Sequence, residues 1–337
     1  MDRLASSEGG HVNGAPPWWC SGSQSDEGLA MVLGLVCLAT VADHGGGQGR
    51  VTAESDPSAP AFEARDVAVR FGGVTALDGV SISVPPASLV GLVGPNGAGK
   101  TTLFSVCSGL LKPNTGRVYL GGVDVTDTSP QERARRGLAR TFQQPELFMG
   151  LTVREHLVLA YRARHRRARL WKDMLTAGSL RKPELAETER VQHLLELLSL
   201  TDIADLPVDV LPLGTTRLVE VGRALATSPT VVLLDEPSAG LDQREGERLA
   251  QALRRTVQDE QLSMLLVEHD VAMVLGLSSY VFVLDFGELL AEGPPDQIRN
   301  DPRVKAAYLG EGPEAAALLP EQPESESQTE EDAASPR

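Results

Sequence analysis

Gly94-Pro95-Asn96-Gly97-Ala98-Gly99-Lys100-Thr101 follows the apolar run Leu89–Val93 and precedes a helical pattern that continues through Leu103 and Phe104 to Leu110. Strand, glycine-rich turn and helix in this order predict a loop whose backbone N–H groups point inward at an anion. The glycines are needed because side chains would collide with a group wrapped so closely. The partial positive charge of the helix start adds to the attraction. The stretch fits the P-loop pattern, so Gly94, Pro95, Asn96, Gly97, Ala98, Gly99, Lys100, Thr101 and Thr102 are the first candidate site residues. In that pattern Lys100 reaches the β- and γ-phosphates of a nucleotide, Thr101 ligates Mg²⁺, and Thr102 donates a further hydrogen bond to phosphate.

Two other unbroken apolar runs, Val231–Leu234 and Met264–Val267, share the character of Leu89–Val93. Such runs predict central parallel strands covered by helices on both faces. Ligands in these sheets bind beyond the carboxyl ends of the strands, so the polar clusters that end the three runs are expected to converge. The second cluster is Asp235-Glu236-Pro237 and the third is Glu268-His269-Asp270. Two carboxylates at a buried strand end call for a cation or a proton. Asp235 is expected to hold Mg²⁺ through a coordinated water and Glu236 to polarise the water that attacks the γ-phosphate; a helix N-cap is the plainer alternative. His269 is expected to contact the γ-phosphate, against the alternative of a structural histidine.

Val67, Val69 and Phe71, like Val80, Ile82 and Val84, alternate with polar neighbours and predict antiparallel strands with one wet face. Helical periodicity fills the stretch from Gln143 to Leu211, for example at Leu194, Leu195, Leu197 and Leu198. Tyr280–Leu284 and Leu289–Glu292 predict a final hairpin, and Pro302–Leu309 a terminal helix. The expected class is α/β, with a mainly parallel core sheet, an antiparallel β subdomain and an α-helical subdomain over about 144–228.

The chain has 337 residues, 42% hydrophobic and 23% charged, which suits a soluble globular protein of one or two domains. Its longest uncharged apolar run, Gly28–Ala42, is too short to span a bilayer. That run follows Asp26 and Glu27 instead of a basic segment, so it makes a poor signal peptide. Cys20, Cys37 and Cys107 offer neither a disulfide framework nor a CxxC site, which fits a reducing compartment. The net charge of -15 argues against nucleic acid as a partner. The acidity gathers at the ends: residues 1–60 hold seven acids against Arg3 and Arg50, and residues 311–337 hold eight against Arg337. Both ends read as disordered tails around a domain at 61–310. Because the folded pattern begins only at Phe62 and a valine codon can start translation in a bacterium, residues 1–50 read as a mis-called extension before Val51. Intact-mass measurement of protein made from the native gene tests this, and a genuine disordered leader is the alternative.

From Phe62 to Gly310 the ordered motifs resemble the nucleotide-binding subunit of ABC transporters. Gly94–Thr101 is similar to its Walker A motif, Gln143 in Arg140-Thr-Phe-Gln143 to its Q-loop, and Asp235 and Glu236 to Walker B and the adjoining base. Ser238–Asp242 resembles the D-loop, His269 the switch histidine, and Phe71 the aromatic that stacks on adenine. Leu151-Thr-Val-Arg-Glu155, Val283-Leu-Asp-Phe-Gly287, Glu292-Gly-Pro and Ala307-Tyr-Leu-Gly310 resemble the branched-chain amino acid, or Liv-type, members. One motif departs: Leu211-Pro212-Leu213-Gly214-Thr215 stands where the family usually carries Leu-Ser-Gly-Gly-Gln, a signature that clamps the γ-phosphate held by the opposite subunit. Pro212 removes the serine hydroxyl and an N–H, while Gly214 keeps a point of close approach.

The resemblance implies an ATPase that binds ATP and Mg²⁺ and powers a transporter from the cytoplasmic face of the membrane. Lys100, Gln143, Glu236 and His269 would do the chemistry; Thr101, Gln143 and Asp235 would hold the metal; Phe71, Gly214 and Asp242 would join the P-loop in binding nucleotide. It also implies permease subunits, a second ATPase subunit and a substrate-binding protein as partners. A regulatory partner subunit with weak hydrolysis is the alternative, motivated by Pro212 and Leu213. A soluble member of translation or DNA repair is disfavoured by the lack of a second P-loop and of a long coiled-coil insertion. The basic run Arg162, Arg164, His165, Arg166, Arg167 and Arg169 reads either as a solvated helix face or as a contact with the membrane subunit or anionic lipid.

Overall fold

The computed structural model of the protein describes residues 59–141, 147–165 and 184–308. The first half of the chain forms β1 (Phe62–Phe71), β2 (Val74–Val84), β3 (Leu89–Val93), α1 (Lys100–Ser108), β4 (Thr115–Leu120), β5 (Val123–Asp124), α2 (Pro130–Arg135) and β6 (Leu138–Arg140). Then come α3 (Val153–His165), α4 (Leu185–Leu197), α5 (Leu213–Ala226), β7 (Val231–Asp235), α6 (Gln243–Glu260) and β8 (Ser263–Val267). α7 (Val271–Leu277), β9 (Tyr280–Asp285), β10 (Glu288–Gly293), α8 (Pro295–Asn300) and α9 (Pro302–Ala307) close the described chain.

The strands form two sheets, a four-stranded one in the order β2-β1-β4-β5 and a six-stranded one in the order β10-β9-β3-β8-β7-β6. All pairs in the first are antiparallel. In the second, β9, β3, β8, β7 and β6 run parallel and only β10 is antiparallel. The three apolar runs are thus neighbours at the centre of the larger sheet, and every residue in them is buried. Their two faces serve two cores. Val90, Leu92, Val231, Leu233, Leu265 and Val267 pack with α1 and the antiparallel sheet. Leu89, Val93, Val232, Leu234, Met264 and Leu266 pack with the helices of the opposite side. Period-two geometry with apolar layers on both sides is why these strands read as unbroken hydrophobic runs.

The antiparallel sheet carries a change of phase. Ala64 and Phe62 point into the core, and so do Val67 and Val69, because the register of β1 shifts between Ala64 and Val67. Asp66, at φ 49, forms part of this bulge. The expected alternation holds for Val67 and Val69 but fails at Phe71, which is 53% exposed at the turn into β2.

α1 stops earlier than its apolar pattern predicts. Gly109 takes a left-handed φ of 83 and donates to Ser105 O and Val106 O, so Leu110 lies outside the helix and exposed. The carbonyls at the helix end are held by Arg133, which is buried and donates to Val106 O at 2.7 Å and Cys107 O at 2.8 Å. A cation there complements the negative end of the helix. The neighbouring Cys107 thiol is buried and free, and burial pushes its pKa up to about 12.

The basic run is corrected at its first member. Arg162 lies 5% exposed and meets Glu187 of α4 in a two-pronged pair, Nε to Oε2 at 2.8 Å and Nη2 to Oε1 at 2.7 Å. It belongs neither to a solvated face nor to a membrane contact; Glu187, buried opposite, supplies the charge that makes its burial possible. Arg164 donates to Arg135 O at 2.7 Å, and His165 stacks on Tyr161. Arg166, Arg167 and Arg169 lie outside the described residues. Glu187→Ala would take its carboxylate from the buried guanidinium, so a loss of about 3–5 kcal/mol of unfolding free energy is expected. Urea denaturation checks it, and a loss below about 1 kcal/mol, the range of an exposed pair, would contradict this role.

Candidate functional site

The P-loop is shaped by what its glycines avoid. At Gly94, φ 157, an added Cβ would lie 2.2 Å from Leu284 O; at Gly99, φ 102, it would lie 2.7 Å from Ala76 O. The β9–β10 turn braces the loop, since Gly287 N–H donates to Ala98 O at 3.0 Å. A Cβ at Gly97 would meet nothing within 4 Å, so the loop is walled by backbone on one side and open on the other. α1 begins with no side-chain cap and no acid in its first turn. Its first N–H groups are left for an anion. Lys100 is buried and its ammonium curls back onto the carbonyls of Gly94 and Pro95, the latter at 3.0 Å. Thr101 is exposed beside it and Thr102 half-buried.

The register brings the second and third clusters to the same edge. Asp235 pairs with Val267, and Val267 with Leu92, so the strands end side by side just before Glu236, Glu268 and the P-loop. The strand order sets Lys100, Asp235–Glu236 and His269 in the segments that follow adjacent strand ends. Asp235 is buried, and burial raises its pKa, opposed by Arg140 and reinforced by Glu236. Arg140 Nη2 stands 3.4 Å from Asp235 Oδ2, Nη1 donates to Ser108 Oγ at 3.0 Å, and the guanidinium lies over the Phe104 ring. Glu236 adopts φ 43, a left-handed conformation costly for a residue with a side chain, and its N–H is fixed to Val267 O at 2.8 Å. Strain of this kind persists only where the surroundings impose it.

His269 is exposed, while the preceding Glu268 is wholly buried. Glu268 accepts from Ser238 N–H at 2.7 Å and from His269 N–H at 3.3 Å. Burial pushes its pKa up, and the Ser238 hydrogen bond pulls it down.

Other expected residues fall differently. Gln143 lies outside the described residues. Asp242 caps its own helix, its carboxylate accepting from Glu245 N–H at 2.8 Å at the start of α6. Gly214 is buried near the start of α5, with Pro212 as the N-cap, and donates its N–H to Glu245 Oε1 at 3.2 Å. Phe71 offers an exposed ring at the hairpin tip. Sequence reasoning assigned no role to Arg140 or Glu268, although both stand within the quoted clusters. It also passed over His156, a buried ring that accepts from Phe148 N–H at Nε2, 2.9 Å, with Nδ1 2.8 Å from Thr152 O. Burial lowers the His156 pKa, so the neutral tautomer donates from Nδ1.

These features define a P-loop nucleotide-binding domain. The donor set suits Mg²⁺ as well, since that ion is held by one or two protein oxygens together with substrate phosphates. Asp235 and Thr101 supply such oxygens, and no cluster of three or more His, Cys, Asp and Glu side chains forms a cage among the described residues.

Comparison with known proteins agrees. Residues 77–239 match the family described as ABC transporter, and residues 288–314 match that described as branched-chain amino acid ATP-binding cassette transporter. The chain is 35% identical over 254 residues to the high-affinity branched-chain amino acid transport ATP-binding protein BraF of Pseudomonas aeruginosa, covering 75% of this chain and 99% of the relative. It is 36% identical, with the same coverage, to LivG of Escherichia coli K12, which carries the same description. Its fold matches the ADP conformation of MJ1267, an ATP-binding cassette of an ABC transporter, with a TM-score of 0.64 and 31% identity, covering 74% of this chain and 99% of that one. The chain therefore belongs to the ABC transporter ATP-binding proteins of the branched-chain amino acid family.

Proposed function

We propose that the chain binds Mg-ATP, hydrolyses it as one of two cassettes, and so powers uptake of branched-chain amino acids or similar small polar solutes. The observation that carries this reading is the side-by-side ending of β3, β7 and β8, which gathers Lys100, Asp235, Glu236 and His269 at one sheet edge. The Gly94–Lys100 backbone and the start of α1 would cradle the phosphates, and Lys100 would leave its loop carbonyls to reach the β- and γ-oxygens. Mg²⁺, when bound, neutralises charge developing between those phosphates. Thr101 and Asp235 would hold it together with Gln143. Glu236 would accept a proton from the attacking water, and His269 would donate to the γ-phosphate as charge builds there. Phe71 would stack on the adenine. Gly214 and Asp242 would meet nucleotide held by the opposite cassette.

Among the described residues no helix is long and apolar enough to cross a membrane. We infer that separate permease subunits hold the cassette at the cytoplasmic face, through the helical subdomain at about 144–228, and that a substrate-binding protein completes the assembly. The branched-chain amino acid assignment rests on BraF and LivG. Deleting the gene in its native cell tests it: uptake of labelled leucine, isoleucine and valine is expected to fall and to return with wild type but not with Glu236→Gln. Unchanged uptake of all three would overturn the substrate assignment.

A further inference from the structure

The turn after β7 carries Glu236, and the loop after β8 carries His269. One buried carboxylate joins them. Glu268 is 0% exposed. Its Oε1 accepts Ser238 N–H at 2.7 Å, two residues beyond Glu236. Its Oε2 accepts His269 N–H at 3.3 Å and lies 3.6 Å from His269 Nδ1. The Glu236 turn is pinned at its other end by Glu236 N–H to Val267 O at 2.8 Å, so Val267, the last residue of β8, and Glu268, which follows it, hold both ends of that turn. Glu268 itself is tied to β3 through its N–H and Leu92 O at 3.4 Å.

A carboxylate is the side chain this junction requires, because two backbone donors converge on it and each of its oxygens takes one. A buried carboxylate in a purely apolar setting would be costly, and a residue placed there only to fill volume would carry no charge. Because its two oxygens face two different loops, a movement of His269 changes the geometry offered to Ser238, and the reverse. We propose that Glu268 is a positioning residue that sets the Glu236 turn and the His269 ring against each other, so that the base and the γ-phosphate donor reach their working geometry together. This rests on the ATPase reading above and adds to it a coupling residue that touches neither nucleotide nor metal.

Glu268→Gln tests the coupling in the full chain. Glutamine keeps the volume and one acceptor for Ser238 N–H, but its NH₂ then faces the His269 N–H, donor against donor. The expected result is a fall in kcat of about 10–100-fold, with the Kd for ATP and the melting temperature close to wild type. Such misplacement acts on the reacting geometry rather than on binding. In combination with His269→Ala, Glu268→Gln is expected to add less than about threefold, because both act through one arrangement. Full multiplicativity of the two losses would overturn the coupling, as would a kcat equal to wild type. A loss of ATP affinity or melting temperature parallel to kcat would show a structural role only. If Glu268→Gln fails to fold, Glu268→Asp, which keeps the charge and shortens the reach, is expected to give the same kcat loss at unchanged Kd; wild-type kcat in that variant overturns the proposal. Absence of turnover in wild type would sink the ATPase reading, whereas turnover in wild type with an indifferent Glu268→Gln sinks this inference alone.

Discussion

Lys100→Ala is expected to remove nucleotide binding and turnover together. The ammonium is the one cation held inside the P-loop stretch, buried and folded onto the carbonyls of Gly94 and Pro95. Those carbonyls hold it inside the loop, and a phosphate oxygen would take their place as its partner when nucleotide binds. Removing one member of a buried, hydrogen-bonded charge pair costs about 2–5 kcal/mol, which corresponds to about 30- to 5,000-fold in Kd. Titration with a fluorescent ATP analogue reads the change directly. A Kd within threefold of wild type would mean that the phosphates bind elsewhere.

Glu236→Gln is expected to separate binding from chemistry. Its backbone is held in the left-handed region at φ 43 by a hydrogen bond to the neighbouring strand, independent of the side chain. The amide therefore preserves the loop and the P-loop contacts while losing the ability to take a proton. General-base contributions are typically about 10²–10⁴-fold, so kcat is expected to fall by that factor with Kd for ATP unchanged. Phosphate release under saturating ATP, set beside the binding titration, measures both. Equal turnover in mutant and wild type would remove Glu236 from the role of base.

How much of this was legible before the fold follows from burial and distance along the chain. β3, β7 and β8 announce themselves because strands covered on both faces must be apolar throughout, and each ends in a cluster the sheet edge then collects. β6 escapes notice: three residues, Leu138–Arg140, are too few to show a period. With it goes Arg140, whose place beside Asp235 exists only because β6 pairs with β7. Glu268 was in plain sight, yet its partner Ser238 lies 30 positions away and the contact is through a backbone N–H that no side-chain pattern reveals. Arg162 misleads for the same reason, since a charge run looks solvated until Glu187 is brought against it. The end of α1 could have been read, because Gly109 follows the last helical residue as a helix-terminating glycine should.

The most direct test of a single ATP-hydrolysing site at this sheet edge is Mg²⁺-dependent phosphate release by the full chain over a range of protein concentrations, with Glu236→Gln alongside. Turnover that rises faster than linearly with protein and disappears in the mutant is the expected result, showing that two cassettes complete the site despite Pro212 in the signature region. Tight ATP binding with no turnover at any concentration would contradict it.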